Sequence, residues 1–363
     1  MSVPSHARAR RLGAALARGV AGCDAHIAAA APRARGVLPS GCDALDAALG
    51  VGGYPEGRLT VLHGPEACGK STLALHAAAE CQRAGGVVLY LDFEHKLDEP
   101  YAAALGVDLG ALVVATPPHI ERAFALLEQA CAKLAEGDGE PTPVLLVWDS
   151  LHAAVGRRTF EADWEKEHFS PEARAYSLGL ARFVPTLSRT RAVLLAISQV
   201  RMKLDGYMPA EKVGVGRAPL FYASVIVKLR AKRARGTVRR EGELVEAVVV
   251  KNQVAPPYRV VNFPMVYGRG VDGPGAVLEA ARLTGLAVPA KAAGWWDLAF
   301  DGESVRVQGA GGVGRMAERE PESYARLRAA IRAASLGPTL PAPAEPSPAG
   351  GEGDADDAGG ADG

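Results

Sequence analysis

Gly64-Pro65-Glu66-Ala67-Cys68-Gly69-Lys70-Ser71 decides how the rest of this 363-residue chain is read. The octet fits G-x-x-x-x-G-K-[ST] and lies between an apolar run, LTVLH at 59–63, and a helix-forming run, STLALHAAAE at 71–80. Strand, glycine-rich turn and helix, in that order, are the context a phosphate-cradling loop requires. Backbone N–H groups of such a loop wrap phosphate oxygens, and the helix N-terminus adds positive potential. Gly64, Pro65, Glu66, Ala67, Cys68, Gly69, Lys70, Ser71 and Thr72 are therefore candidates to hold ATP with Mg²⁺. In that role Lys70 reaches the β and γ oxygens and Ser71 ligates the metal. The competing reading, a glycine-rich turn with an incidental lysine, is disfavoured by the strand and helix on either side.

Working outward, a nucleotide hydrolase also needs a carboxylate for the metal and a group that acts on water. Asp149 ends the apolar run VLLVW at 144–148 and is followed by Ser150, so it stands at a strand tip where it can hold Mg²⁺ through water. Glu94 lies just past VVLYLD at 87–92 and can orient or deprotonate water, with Asp92 as the competitor for that role. Either acid can instead be an ordinary exposed strand-end residue. Gln199 follows VLLAIS at 193–198 and opens the polar, glycine-containing segment 200–218. An amide there can touch a γ-phosphate and move the segment, or simply belong to a loop.

The apolar runs at 59–62, 87–91, 144–148, 193–197, 225–229 and 247–250 suit strands buried on both faces, while 71–83, 120–135 and 172–187 suit covering helices. Their alternation predicts an α/β fold with a mainly parallel central sheet flanked by helices. Four segments are expected. Residues 1–36 form a basic arm with a helix over about 5–31, or else a solvated leader, and 37–270 form the core. A small α+β module covers 271–336, with Trp295-Trp296 and a charged helical stretch at 320–334, and an acidic tail at 337–363 is too poor in apolar residues to order itself.

Forty-one Lys+Arg balance 41 Asp+Glu, which lacks the whole-chain basic signature of a nucleic-acid binder. Location changes that conclusion. Six arginines against Asp24 give the first 36 residues a net +5, the last 27 carry six acids and no Lys or Arg, and the 300 between sum to +1. Five scattered cysteines without a C-x-x-C pair fit a reduced compartment. No signal peptide or membrane span is read, so a cytoplasmic protein with no membrane partner is expected. The histidines show no metal-ligand spacing. Residues 228–240 hold seven basic groups, whose alternation across Lys228, Arg230 and Lys232 suits either a DNA contact or the solvated face of a strand.

Beyond the phosphate loop, longer strings match a known family. LPSGCDALDAALGVGGYPEGRLTVLHGPEACGKST, LDFEHKLDEPYAAALGVD, ISQVRMK, FYAS, VVKNQVAPPY and AGWW occur in order, and over roughly 37–334 the chain resembles the bacterial RecA-type recombinases. The resemblance implies a RecA-like core in which Glu94 is the catalytic glutamate, Asp149 the acid near the metal, and Asp98 and Tyr101 the contacts to adenine. It implies that Gln199 senses γ-phosphate and couples it to a second DNA loop at 200–218, with a first DNA loop at 157–172. Members form helical filaments on single-stranded DNA with ATP between protomers, and pair that strand with homologous duplex DNA in repair and the damage response. In them the N-terminal helix packs on the next subunit, and two lysines reach across the boundary toward the γ-phosphate.

This chain departs from that pattern. It keeps Lys251 but has Gln253 at the second lysine position, and Leu220, just before FYAS, also stands where lysine is usual. Residues 157–174 carry four basic and five acidic groups, with Phe160 and Trp164 either stacking on bases or pinning the loop. The second loop offers Arg201, Lys203, Lys212 and Arg217 for phosphates, against Asp205 and Glu211, with Tyr207 and Met208 as base wedges. The expectation is a DNA-dependent ATPase and strand-exchange recombinase of reduced turnover, assembling with itself, with a repressor or another recombinase as candidate further partners. The alternatives are an ATP-binding accessory paralogue that loads or joins another recombinase with little hydrolysis, and a phosphate-loop ATPase acting on a partner other than DNA.

Overall fold

The computed structural model describes residues 36–135, 142–162, 171–199, 201–202, 211–212, 216–232 and 241–336. Its centre is a nine-stranded sheet: β1 (Leu59–Gly64), β2 (Val87–Asp92), β3 (Leu112–Ala115), β4 (Val144–Asp149), β5 (Ala192–Gln199), β6 (Val225–Lys232), β7 (Gly242–Asn252), β8 (Val260–Val266) and β9 (Gly270–Val271). The spatial order is β9-β8-β7-β6-β1-β5-β4-β2-β3. From β6 to β3 all neighbours are parallel, whereas β7, β8 and β9 are added antiparallel. The mainly parallel α/β sheet expected from the strand-helix alternation is present.

The parallel strands are buried on both sides because helices cover both. Along β4, Leu145 and Val147 face one apolar cluster with α2 (Lys70–Arg83), while Leu146 and Trp148 face another with α3 (Ile120–Ala135) and α4 (Pro171–Ser188). In the second cluster Trp148 stacks on Phe93 at 5.2 Å between ring centroids and meets Phe124 and Tyr176 at tilted angles. Strand β7 corrects the reading of 247–250 as a run buried on both faces. It spans 11 residues, and only Val245, Ala247 and Val249 on one face are fully buried. The β6–β7 ladder slips between Ile226 and Val227, so that Ile226 faces Lys251 and Val227 faces Val249.

Three strands of this sheet lay outside the expected set, among them the two-residue β9. β3 is an edge strand whose Val113 and Val114 are exposed, and β8 carries Pro264, which weakens any strand reading. C-terminal to β9, helices α5 (Gly273–Leu283), α6 (Gly309–Arg319) and α7 (Pro321–Ser335) pack with a three-stranded antiparallel sheet of residues 287–289, 295–300 and 303–308. Their cluster includes Val277, Leu298, Val313 and Ile331 and takes in Ala47 from helix α1 (Asp43–Leu49). Arg328 on α7 donates to Asp43 at 3.0 Å and ties the two parts together.

Candidate functional site

The register of the parallel strands brings four of their C-terminal ends to one edge: Gly64 pairs with Gln199 across β1 and β5, and Asp92 with Asp149 across β2 and β4. Ligands of open α/β sheets bind outside such carboxyl ends. Gly64 can leave β1 only as glycine, since a Cβ there would lie 2.4 Å from the Leu229 carbonyl oxygen of β6. Gly69 takes φ of 86° as the N-cap of α2 and adds no side-chain cap, so the first N–H groups of a 14-residue helix open on the loop.

A cavity of about 420 Å³ lies between loop residues 66–72 and Glu94, Lys96, Asp149 and Gln199. Lys70 is buried, and its Nζ donates to the carbonyl oxygens of Gly64 (3.1 Å) and Pro65. Beside it, burial pushes the Cys68 thiol up, against the opposing pull of the Lys70 charge. The Ser71 hydroxyl donates to Asp149 Oδ2 at 2.8 Å, and Tyr90 donates to the same oxygen at 2.6 Å. Burial raises the Asp149 carboxyl despite these two bonds, and the charges of Glu94 and Asp92 push the same way. The Ser71 hydroxyl and the Asp149 carboxylate, in contact with each other and close enough to Glu94 and Asp92 to feel their charge, are hard oxygen donors that fit Mg²⁺.

Glu94 sits between donors. Its Oε1 accepts from Ser150 Oγ at 2.6 Å and from Gln199 Nε2 at 2.8 Å, and its Oε2 lies 3.2 Å from Lys96 Nζ. Burial by itself raises this carboxyl, but bonds from Ser150 and Lys96 and the charges of Lys96 and Lys70 outweigh it and hold Glu94 below its ordinary value. Asp92 does not compete for the same place. Its two oxygens accept the backbone N–H groups of Glu94 (3.1 Å) and Leu97 (3.0 Å), so it shapes the turn that presents Glu94.

Asp98 caps the short helix Glu99–Ala104 by accepting from the Tyr101 N–H at 2.9 Å, and the Tyr101 hydroxyl lies 3.2 Å from Thr72 Oγ1. Tyr101 therefore borders the loop, and Asp98 holds the start of the helix that carries it. Lys251 does not join the cleft. It stands at the other end of the sheet, where its Nζ donates to the carbonyls of Leu220 (3.0 Å) and Phe221 (2.9 Å), and partial burial lowers its pKa. A second cavity of about 350 Å³ lies there, bordered by Arg58, Leu59, Phe221, Lys251 and Gln253. Leu59 and Gly64 are the two ends of β1, roughly 17 Å apart at the usual strand rise.

Of the DNA-loop candidates, Lys203, Tyr207 and Met208 lie outside the described residues, as do Trp164, the arm at 1–35 and the tail from 337. Arg201 and Lys212 are register partners in a two-stranded antiparallel pair, and Arg217 is exposed just before the helix Ala218–Tyr222. Phe160 is exposed, with its ring 6.1 Å from that of His119. In β6, Arg230 and Lys232 are exposed, and Lys232 pairs with Glu246 on β7.

Sequence reasoning passed over Tyr90, Ser150, Lys96 and His152, whose Nδ1 accepts the Gln199 N–H at 3.1 Å. Ser150 had a signal in its place next to Asp149. Tyr90 had a weaker one, two residues before Asp92 on the same strand face.

Comparison with known proteins agrees with this geometry. The RecA N-terminal domain family matches residues 27–272, which take in the phosphate loop, every strand end described above and both clefts. Protein RecA of Desulforapulum autotrophicum is 34% identical over 320 residues, covering 85% of this chain and 86% of the relative. Protein RecA of Pseudarthrobacter chlorophenolicus is 35% identical over 298 residues, covering 82% and 81%. Protein RecA of Bacteroides thetaiotaomicron is 37% identical over 254 residues, covering 69% and 74%. With likeness running through the loop and out to the edge of the sheet, the chain belongs to the RecA family.

Proposed function

We propose that the chain is a RecA-type recombinase that binds ATP with Mg²⁺, assembles with itself on single-stranded DNA and pairs that strand with homologous duplex DNA during repair. The observation that carries this reading is the convergence of Lys70, Ser71, Asp149, Glu94 and Gln199 on one cleft at the carboxyl ends of adjacent strands. Lys70 and the first N–H groups of α2 bind the phosphates, and Ser71 with Asp149 holds the metal. Mg²⁺, when bound, neutralises charge on the β and γ oxygens. Glu94, kept ionised by its donors, orients a water and takes its proton. Gln199 shares Glu94 Oε1 with Ser150 and opens segment 200–218, so a γ-phosphate that draws the amide away from Glu94 also pulls on the segment carrying Arg201, Lys203, Lys212 and Arg217.

Asp98 and Tyr101 flank the base. Residues 1–36 serve as the assembly arm, 37–270 as the ATPase core, 271–336 as a small accessory domain and 337–363 as an acidic tail. Lys251 faces the neighbouring protomer's nucleotide, and Gln253 supplies no second charge. Such a cation is worth on the order of 10³ to 10⁵ in rate in related phosphoryl transfer, so turnover is expected below that of the relatives.

The test is ATP turnover by the wild type and Lys70→Ala, with and without single-stranded DNA, alongside electron microscopy of the DNA. Turnover that DNA stimulates, filaments on the DNA, and loss of turnover in Lys70→Ala are expected. Filaments without turnover would move the reading to a scaffold that joins another recombinase, an outcome that Gln253 favours. Absence of both would overturn it.

A further inference from the structure

Lys96 is not part of the phosphate-loop motif, yet it lines the same cleft as Lys70 and Ser71 and puts its ammonium 3.2 Å from Glu94 Oε2. The other carboxylate oxygen of Glu94 is already engaged, by Ser150 at 2.6 Å and Gln199 at 2.8 Å. The terminal torsion of a glutamate is broad and roughly two-fold and carries both oxygens together, so a donor on Oε2 adds to the two on Oε1 in fixing the plane of the carboxylate. The lysine is that donor. Its side chain is 77% exposed, so its ammonium sits at the solvent side of the cleft, where a water reaches the carboxylate.

We propose that Lys96 is a positioning residue for Glu94, holding Oε2 toward the entry of the attacking water while Ser150 and Gln199 hold Oε1. The inference rests on the reading of Glu94 as the group that acts on water. Lys96 touches neither nucleotide nor water in this role and works only through Glu94. Asp92 supplies the other half of the support by binding the N–H groups of Glu94 and Leu97, so the backbone carrying both charged side chains keeps its turn. A lysine serving the phosphates directly would act on nucleotide affinity instead, which separates the two roles.

The experiment measures kcat and KM for ATP of the full chain on saturating single-stranded DNA, for the wild type, Glu94→Gln, Lys96→Ala, Lys96→Arg and the Glu94→Gln/Lys96→Ala pair. Lys96→Ala is expected to lower kcat about tenfold with KM within about twofold, and Lys96→Arg to recover most of the loss, since a misheld base forfeits part of the usual effect of general-base catalysis. In the Glu94→Gln background, loss of the lysine is expected to cost nothing further. An unchanged kcat in Lys96→Ala, a rise in KM alone, or an equal fold-loss in the Glu94→Gln background would each overturn the inference while the reading of Glu94 stands. Wild-type turnover by Glu94→Gln itself would remove that reading, and the role of Lys96 with it.

Discussion

The cavities at the two ends of β1 differ in how much of their chemistry is contained in one chain. At the Gly64 end, Ser71 and Tyr90 converge on Asp149, Ser150, Gln199 and Lys96 on Glu94, and Lys70 lies against its own loop. At the Leu59 end, Lys251 is held by two carbonyls, Gln253 is neutral, and Phe221 is 75% exposed. At the first end Asp149 Oδ2 and both oxygens of Glu94 have donors from the same chain, so these two carboxylates are oriented before a ligand arrives. The second end has two cationic side chains, Arg58 and Lys251, an exposed ring and no carboxylate among its described lining residues, which is the composition of a surface that completes something else.

Breaking the first end has the largest expected effect. Glu94→Gln should lower turnover by roughly 10² to 10⁴ with nucleotide binding retained, as loss of a general base does, measured by steady-state hydrolysis beside equilibrium binding of a fluorescent ATP analogue. If both ends contribute to one reaction across a subunit boundary, Gln253→Lys should raise DNA-stimulated turnover by about tenfold or more, and should do nothing in a preparation kept monomeric by dilution. A gain that persists in monomers would break the comparison, because the second end would then serve its own chain.

The smallest effect serves as a control at a site lining neither cavity. Asp46 on α1 is partly buried and its carboxyl is raised to about 8, chiefly by burial, with the Ser40 N–H at 2.9 Å opposing. The unfolded chain therefore loses this proton at lower pH than the folded one. The contribution of Asp46 to folding stability falls as pH rises from about 4 toward about 8, and its loss is complete above that. Asp46→Asn should flatten this slope, followed by urea unfolding at pH 5 and pH 8, and should leave turnover unchanged.

The legible part of the site is the part governed by topology. Phosphate loop, Glu94, Asp149 and Gln199 all lie just past buried apolar runs, and parallel strands bring such positions to one edge whatever the side chains between them. From the residues alone Asp92 stood as a competitor to Glu94, because two acids on one short turn are separated by which of them the backbone N–H groups claim. Lys96 gave no sign for the same reason. Strand β3 was missed because its valines face solvent at an edge, and β8 because Pro264 interrupts an otherwise apolar run. The edge position of β3 depends on strands far along the chain, while the contacts of Asp92 and Lys96 span only two to five residues and turn on side-chain geometry, and periodicity reports neither.

The slip in the β6–β7 ladder bears on the second cavity. Val245, Ala247 and Val249 are the odd-numbered residues that β7 sends into the cluster shared with α2, and unbroken alternation would send Lys251 in after them. Instead the count changes at Val250. That residue packs toward the opposite cluster, and Lys251 follows it to the carbonyls of Leu220 and Phe221 on the same side. One residue left out of the pairing thus changes the parity of the strand's end, sparing the core a buried ammonium and turning the charge toward the face where another chain can meet it.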